Sequence, residues 1–227
     1  MWATRPGLMR WRNVVSEEKY REIINNHVTP LLEQLGFKSK KKEWFYAHDD
    51  ECVKRITCGF SKERGKDAGF VTVTVCVGFK ALEMFLSQCP DLSSHVNFEP
   101  TQRACTMASN LGHLREPFRF LSWEIAPDSD VQSIAADICS RIETDGLNFF
   151  AEYGALERAV AAWRSGIRHN LGNLAVLYLS AYEWLYGSRE RAVLELKDAV
   201  ISADLPSTRH VYTSLLNYLE SLSGKPQ

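Results

Sequence analysis

Four lysines, Lys38, Lys40, Lys41 and Lys42, stand directly before Trp44, Phe45 and Tyr46, the densest meeting of recognition chemistry in the chain. Ammonium groups neutralise phosphates or carboxylates, while aromatic faces stack on bases or anchor an interface. The same residues also suit a plainer role: lysines along an exposed sheet edge keep it from pairing with other chains, and the aromatics can face the core. A second cluster, Arg164, Arg168, His169 and Asn170 beside Trp163, falls between two helical patterns. Guanidinium offers paired donors to a carboxylate or phosphate, and positive side chains also stabilise a helix C-terminus. The expected binding residues are therefore Lys38, Lys40, Lys41, Lys42, Trp44, Tyr46, Arg164, Arg168 and His169.

The remaining reactive side chains form no recognisable catalytic or metal set, and no cofactor is expected. The six cysteines, Cys52, Cys58, Cys76, Cys89, Cys105 and Cys139, contain no CxxC pair, so they are expected as free, packed thiols of a cytoplasmic protein. The six histidines contain no i, i+4 pair that would set two imidazoles on one helix face. The chain has no GxxxxGK[ST], GxGxxG or GxSxG. A hydrolase built from a distant cysteine or carboxylate and a histidine is the enzymatic alternative.

These residues must be positioned by the 227-residue chain, 45% hydrophobic and 24% charged, which can bury a sizeable core. Its 27 basic and 28 acidic residues give no global field for nucleic acid or a membrane surface. The charge is uneven all the same. Residues 1–66 hold 14 basic and 9 acidic residues, the remainder 13 and 19, an asymmetry that favours internal docking or a charged partner. No apolar run is long enough to cross a bilayer, and no secretory signal is evident.

Ser16 is expected to cap a helix whose apolar positions run from Tyr20 to Leu35, with a break near Val28 forced by Pro30 and a stop at Gly36. The period then changes to two. Strands are expected around Trp44–Tyr46, Cys52–Phe60 and Phe70–Phe79, the last with Val71, Val73, Val75 and Val77 on one face. A short helix from Lys80 to Cys89 follows, then strands near Cys105–Leu111 and Phe118–Ile125. Asp128 or Asp130 caps a helix carrying Val131, Ile134, Ile138 and Ile142.

The last third repeats itself. Tyr153-Gly154 and Tyr186-Gly187 lie 33 residues apart, and Glu157-Arg158-Ala159-Val160 matches Glu190-Arg191-Ala192-Val193 in the same register. That period has the size of a helix–turn–helix repeat and resembles the tetratricopeptide family weakly. Two units are too few for a free-standing solenoid, so these helices are expected to lean on the sheet.

Thr29-Pro30-Leu31-Leu32, followed by Leu35-Gly36-Phe37, the lysines and Trp44-Phe45-Tyr46, resembles the opening of a bacterial family, domain of unknown function 4304. The likeness covers about residues 20 to 125 and transfers no catalytic residue. Immunity proteins of toxin systems are a fold-level analogy.

The expected fold is α+β: an antiparallel sheet with helices on one face over residues 1–146, then a helical, repeat-like extension over 147–227 packed on it. The expected function is a non-catalytic protein-binding module, immunity-protein-like, with a toxin or another acidic surface as partner. A nucleic-acid-binding protein using the lysine–aromatic strand is the other alternative.

Overall fold

Where β-branched and aromatic residues alternate, the chain forms strands, and where the apolar period is 3.6 it forms helices. The computed structural model describes residues 15–41, 44–48, 51–93, 105–167 and 174–223. The first helix, α1 (Val15–Ile23), passes through a π-helical turn at Ile24–Val28 into α2 (Thr29–Gln34). Pro30 lies in the first turn of α2, where its missing N–H costs least, so the break falls where expected. Ser16 does not cap α1. It is buried, and the N–H groups of Val15 and Ser16 and the Ser16 hydroxyl all donate to the Asp67 carboxylate, at 2.9 to 3.2 Å. The anchor is thus a carboxylate from a turn 51 residues further along the chain, which local spacing could not reveal.

Six antiparallel strands follow: β1 (Lys38–Lys41), β2 (Trp44–His48), β3 (Cys52–Lys62), β4 (Gly69–Phe79), β5 (Met107–Asn110) and β6 (Trp123–Ile125). They run in the order β1-β2-β3-β4-β5, with β6 also pairing β4. β5 takes Thr74–Val77 and β6 takes Gly69–Val71, so two short strands share one long edge. Val71, Val73, Val75 and Val77 are fully buried, as their alternation requires. Ile56 and Cys58 of β3 lie opposite Val75 and Val73 and extend the same apolar face. The strand expected over Phe118–Ile125 forms only at its end: Phe118 and Phe120 are 67% and 62% exposed in a loop before β6.

Helices α3 (Lys80–Ser87) and α4 (Pro90–Ser93) separate β4 from β5, and α5 (Val131–Arg141) is capped by Asp130, which accepts from the N–H groups of Gln132 and Ser133. A π-helical turn at Ile142–Gly146 carries α5 into α6 (Leu147–Tyr153), so helix runs unbroken across residue 146. Gly146 sits over Val75, within 3.4 Å of where a Cβ would fall, which brings this helix close to the valine face. The remaining helices are α7 (Leu156–Arg164), α8 (Leu174–Tyr186), α9 (Arg189–Ser202) and α10 (Pro206–Ser223). Ring pairs join α6, α7 and α10 to the rest: Phe37 with Phe150 at 5.8 Å, Phe79 with Trp163 at 6.4 Å, and Phe85 with Tyr218 at 6.0 Å. One apolar core therefore continues from the sheet into the helical region.

The expectation of six free thiols is corrected. Cys76 and Cys105 form a disulfide with Cα atoms 5.8 Å apart, because Cys105 stands just ahead of β5 where it meets β4. A separation of 29 residues gives no sequence signal for that pairing. The pairing also removes the support that these two thiols lent to a reducing compartment. Among the described residues, no helix is long and apolar enough to cross a membrane.

Candidate functional site

The structure places Lys38, Lys40 and Lys41 on β1, the strand that ends the sheet, and Trp44 and Tyr46 on β2 beside it. Lys38 pairs with Tyr46 and Lys41 with Trp44, and the register slips between Ser39 and Lys41. Lys38 is exposed and Phe45 is fully buried. A slipped register and lysines on an outer strand are the features that discourage further strand pairing. Lys42, Arg168 and His169 lie outside the described residues.

Arg164, the remaining expected residue, is engaged with its own chain. Its guanidinium donates to the buried Glu183 of α8 and lies 5.9 Å from the Tyr182 ring centroid. Arg191 approaches the same Glu183 carboxylate at 3.5 Å, and the Ser188 N–H donates to it at 3.2 Å. Burial alone would raise the Glu183 pKa, but the Ser188 N–H and the two arginines outweigh it and hold the carboxyl below its ordinary value. Glu195 moves the other way: burial and the nearby Glu183 charge push it up. This network ties α7, α8 and α9 together.

Two clefts gather the groups that sequence spacing left scattered. The first has a volume of about 350 Å³ and is lined by His113, Leu114, Phe118, Asp145, Asn148, Phe149, Glu152, Tyr153 and Ile167. One wall is the loop after β5, and its base is pinned. Asn110, buried at the end of β5, accepts from the N–H groups of Gly112 at 2.9 Å and Leu121 at 2.8 Å. Its amide donates to the Leu121 carbonyl at 3.0 Å and the Val73 carbonyl at 3.5 Å. Three hydrogen bonds of one buried side chain therefore close the loop, and the fourth ties it to β4. Gly112 is required beside it, since a Cβ there would collide with the Arg119 carbonyl. The loop turns Phe118 and Phe120 outward, with His113 edge-on to Phe120 at 6.1 Å. Across the cleft, Arg141 donates to Asp145 at 3.2 Å.

The second cleft, about 420 Å³, lies among Phe79, Met84, Leu156, Tyr182 and Tyr186, with Glu51, Lys80 and Glu157 also lining it. Met84 and Tyr186 are exposed. Each cleft contains an aromatic pair four residues apart, Phe149 with Tyr153 at 5.1 Å and Tyr182 with Tyr186 at 5.6 Å. The two pairs occupy the same places in the 33-residue register. Spacing could have shown them, since both are i, i+4 aromatics, but the Asn110 clasp and Asp145 carried no motif.

The thiols offer little to a cysteine–histidine reading. Cys52, Cys58 and Cys89 are buried, and Cys89 donates to the Ser214 carbonyl at 3.6 Å. Burial pushes the Cys89 and Cys139 thiols up, away from the thiolate a nucleophile needs. Among the described residues, no three histidine, cysteine or carboxylate side chains gather as metal ligands.

No curated protein matches the chain, and no solved structure does either. A family model, described as Domain of unknown function (DUF4304), matches residues 28–152. That span begins at the π-helical turn, takes in the whole sheet and the pinned loop, and ends in α6. It covers more than half of the 227 residues, and the chain belongs to the DUF4304 family.

Proposed function

We propose that this protein is a non-catalytic protein-binding module that meets its partner through the pinned loop and the cleft behind it. The observation that carries this reading is the outward display of Phe118 and Phe120 on a loop whose base Asn110 holds with three hydrogen bonds. Exposed aromatics on a rigidly based loop suit an interface, because such side chains supply contact area with little rotamer entropy to lose. Phe118→Ser combined with Phe120→Ser tests it. Capture from the source cell with the wild-type chain should recover partners that the double variant loses at an unchanged melting temperature. Equal recovery by both proteins refutes the loop as the interface.

A second reading is favoured by the position of β1 at the end of the sheet. An acidic partner, such as a toxin bound by an immunity protein, would be steered to Lys38, Lys40, Lys41 and Lys42. Neutralising Lys40, Lys41 and Lys42 should then slow association and weaken its salt dependence while the fold stays intact. Nucleic acid recovered in place of protein would favour the lysine–aromatic alternative. The cytoplasm is our proposed location, supported by the free thiols of Cys52, Cys58, Cys89 and Cys139; cells lysed into denaturant with an alkylating reagent test it, since alkylated Cys76 and Cys105 place the chain in a reducing compartment and an intact pair refutes it.

A further inference from the structure

We infer that the cleft between the pinned loop and α6 receives an arginine side chain from a protein partner; this deepens the reading of the loop as an interface and rests on it. The lining divides into two parts. Leu114, Phe118, Phe149 and Ile167 make an apolar sleeve, while Asp145, Asn148 and Glu152 supply carboxylate and amide oxygens. That division matches a long side chain with an apolar stem and a planar cationic end. Phe118, two-thirds exposed at the cleft, supplies an aromatic ring on which a guanidinium can stack, and the carboxylates can accept its in-plane N–H groups.

Charge within the lining selects the sign of the occupant. Asp145 and Glu152 are the acidic groups there, and among the described residues no lysine or arginine joins the lining. Arg141 lies outside the lining but pairs with Asp145 at 3.2 Å and offsets its charge, so the exposed Glu152 carries the charge that selects a cation; Arg115 and Arg119 of the loop also lie outside the lining. About 350 Å³ lies at the small end of ligand sites, enough for one extended side chain and too little for a folded element. The arginine must therefore protrude from a partner surface, whose body would rest on Phe120 and the outer face of the loop. Lysine fits less well, because its point charge is more strongly hydrated and cannot lie flat on the Phe118 ring.

The test uses the full chain and short capped peptides: Gly-Arg-Gly as probe, with Gly-Lys-Gly and Gly-Glu-Gly for comparison. Backbone amide resonances of His113, Asn148, Glu152 and Ile167 report the cleft. Gly-Arg-Gly should shift them saturably, and Gly-Lys-Gly should bind about threefold or more weaker, the scale of an exposed cation–π contact. Glu152→Gln, a change at an exposed side chain, should weaken Gly-Arg-Gly by a similar factor and leave the melting temperature alone; Phe118→Ser should do the same. Shifts that bypass the cleft, equal binding of Gly-Glu-Gly, or an unchanged affinity in Glu152→Gln would overturn the proposal. Tighter binding of free arginine than of the peptide would also overturn it, by making the cleft a small-molecule site. If Gly-Arg-Gly fails to bind while the Phe118→Ser, Phe120→Ser chain still loses its captured partners, the arginine is rejected and the interface survives. If the peptide binds as expected and capture ignores both phenylalanines, the arginine pocket stands and the loop-interface reading falls.

Discussion

Tyr153-Gly154 and Tyr186-Gly187 close two helices in the same way, and each leads into a helix bearing Glu-Arg-Ala-Val near its start, yet Tyr153 is buried and Tyr186 is 57% exposed. What differs is what holds each turn. At the first, Phe150 packs among aromatics and Arg158 donates to the Ala151 carbonyl at 2.9 Å. At the second, the position of Phe150 is taken by Glu183, which gathers Arg164, Arg191 and the Ser188 N–H. Ser188 also caps α9 by accepting from the Arg191 N–H, whereas Ala155, its counterpart, has no side chain to do so. One local pattern thus yields an apolar turn immediately after the family-matched residues and a charged turn one repeat further on. A shared motif fixes the bend and the small contact residue, and the neighbouring elements decide what becomes surface.

The largest expected effect tests the equivalence of the two turns. Ala159 and Ala192 are both fully buried, so Ala159→Leu and Ala192→Leu should each overpack a helix contact and cost about 1 to 3 kcal/mol in chemical denaturation. Loss at one site alone would break the comparison, and tolerance at both would remove the helix-pair reading of the repeat.

A smaller effect sharpens the difference between the turns. Glu183→Gln should lower stability at pH 7 by about 1 to 2 kcal/mol, the scale of charge-assisted hydrogen bonds to arginines that remain half exposed. Its pKa is depressed in the fold, so this contribution is present above the ordinary carboxylate range and is lost as pH falls through the folded value. Glu195 has the opposite sign. Its raised pKa makes the fold favour the protonated acid, so stability falls as pH rises through the folded value, and Glu195→Gln should raise the melting temperature at pH 7 and change little at pH 4. Melting curves of both variants across that range check the two signs together. Parallel behaviour of the two would reject the Glu183-centred network.

The smallest effect belongs to the first cleft. Phe118→Ser and Phe120→Ser should each change stability by less than about 0.5 kcal/mol, because neither ring is buried. A larger loss by thermal denaturation would make these rings structural and weaken their role as displayed contacts.

Periodicity made much of the scaffold legible. The break before Thr29, the valine face of β4, the Asp130 cap and the antiparallel meander all depend on residues close in sequence, where backbone geometry and side-chain period act directly. The exposed site was far less legible. Phe118 and Phe120 alternate like strand residues, but Gly112 and the Asn110 hydrogen bonds hold that segment as a loop, and β6 forms only at Trp123–Ile125. Arg164 looks like an anion-binding group until α8 brings Glu183 against it.

By itself, the sequence determined most of the stretches that are helix or strand, the turns at Tyr153-Gly154 and Tyr186-Gly187, and the charge placed on the edge strand. These follow from torsional preference and from the need to put apolar side chains on one face. The tertiary structure decided the Asp67 anchor of α1, the Cys76–Cys105 pair, the pinned loop and the two clefts. Each of those depends on groups far apart along the chain, and their meeting is fixed by the packing of whole elements, which no local spacing encodes.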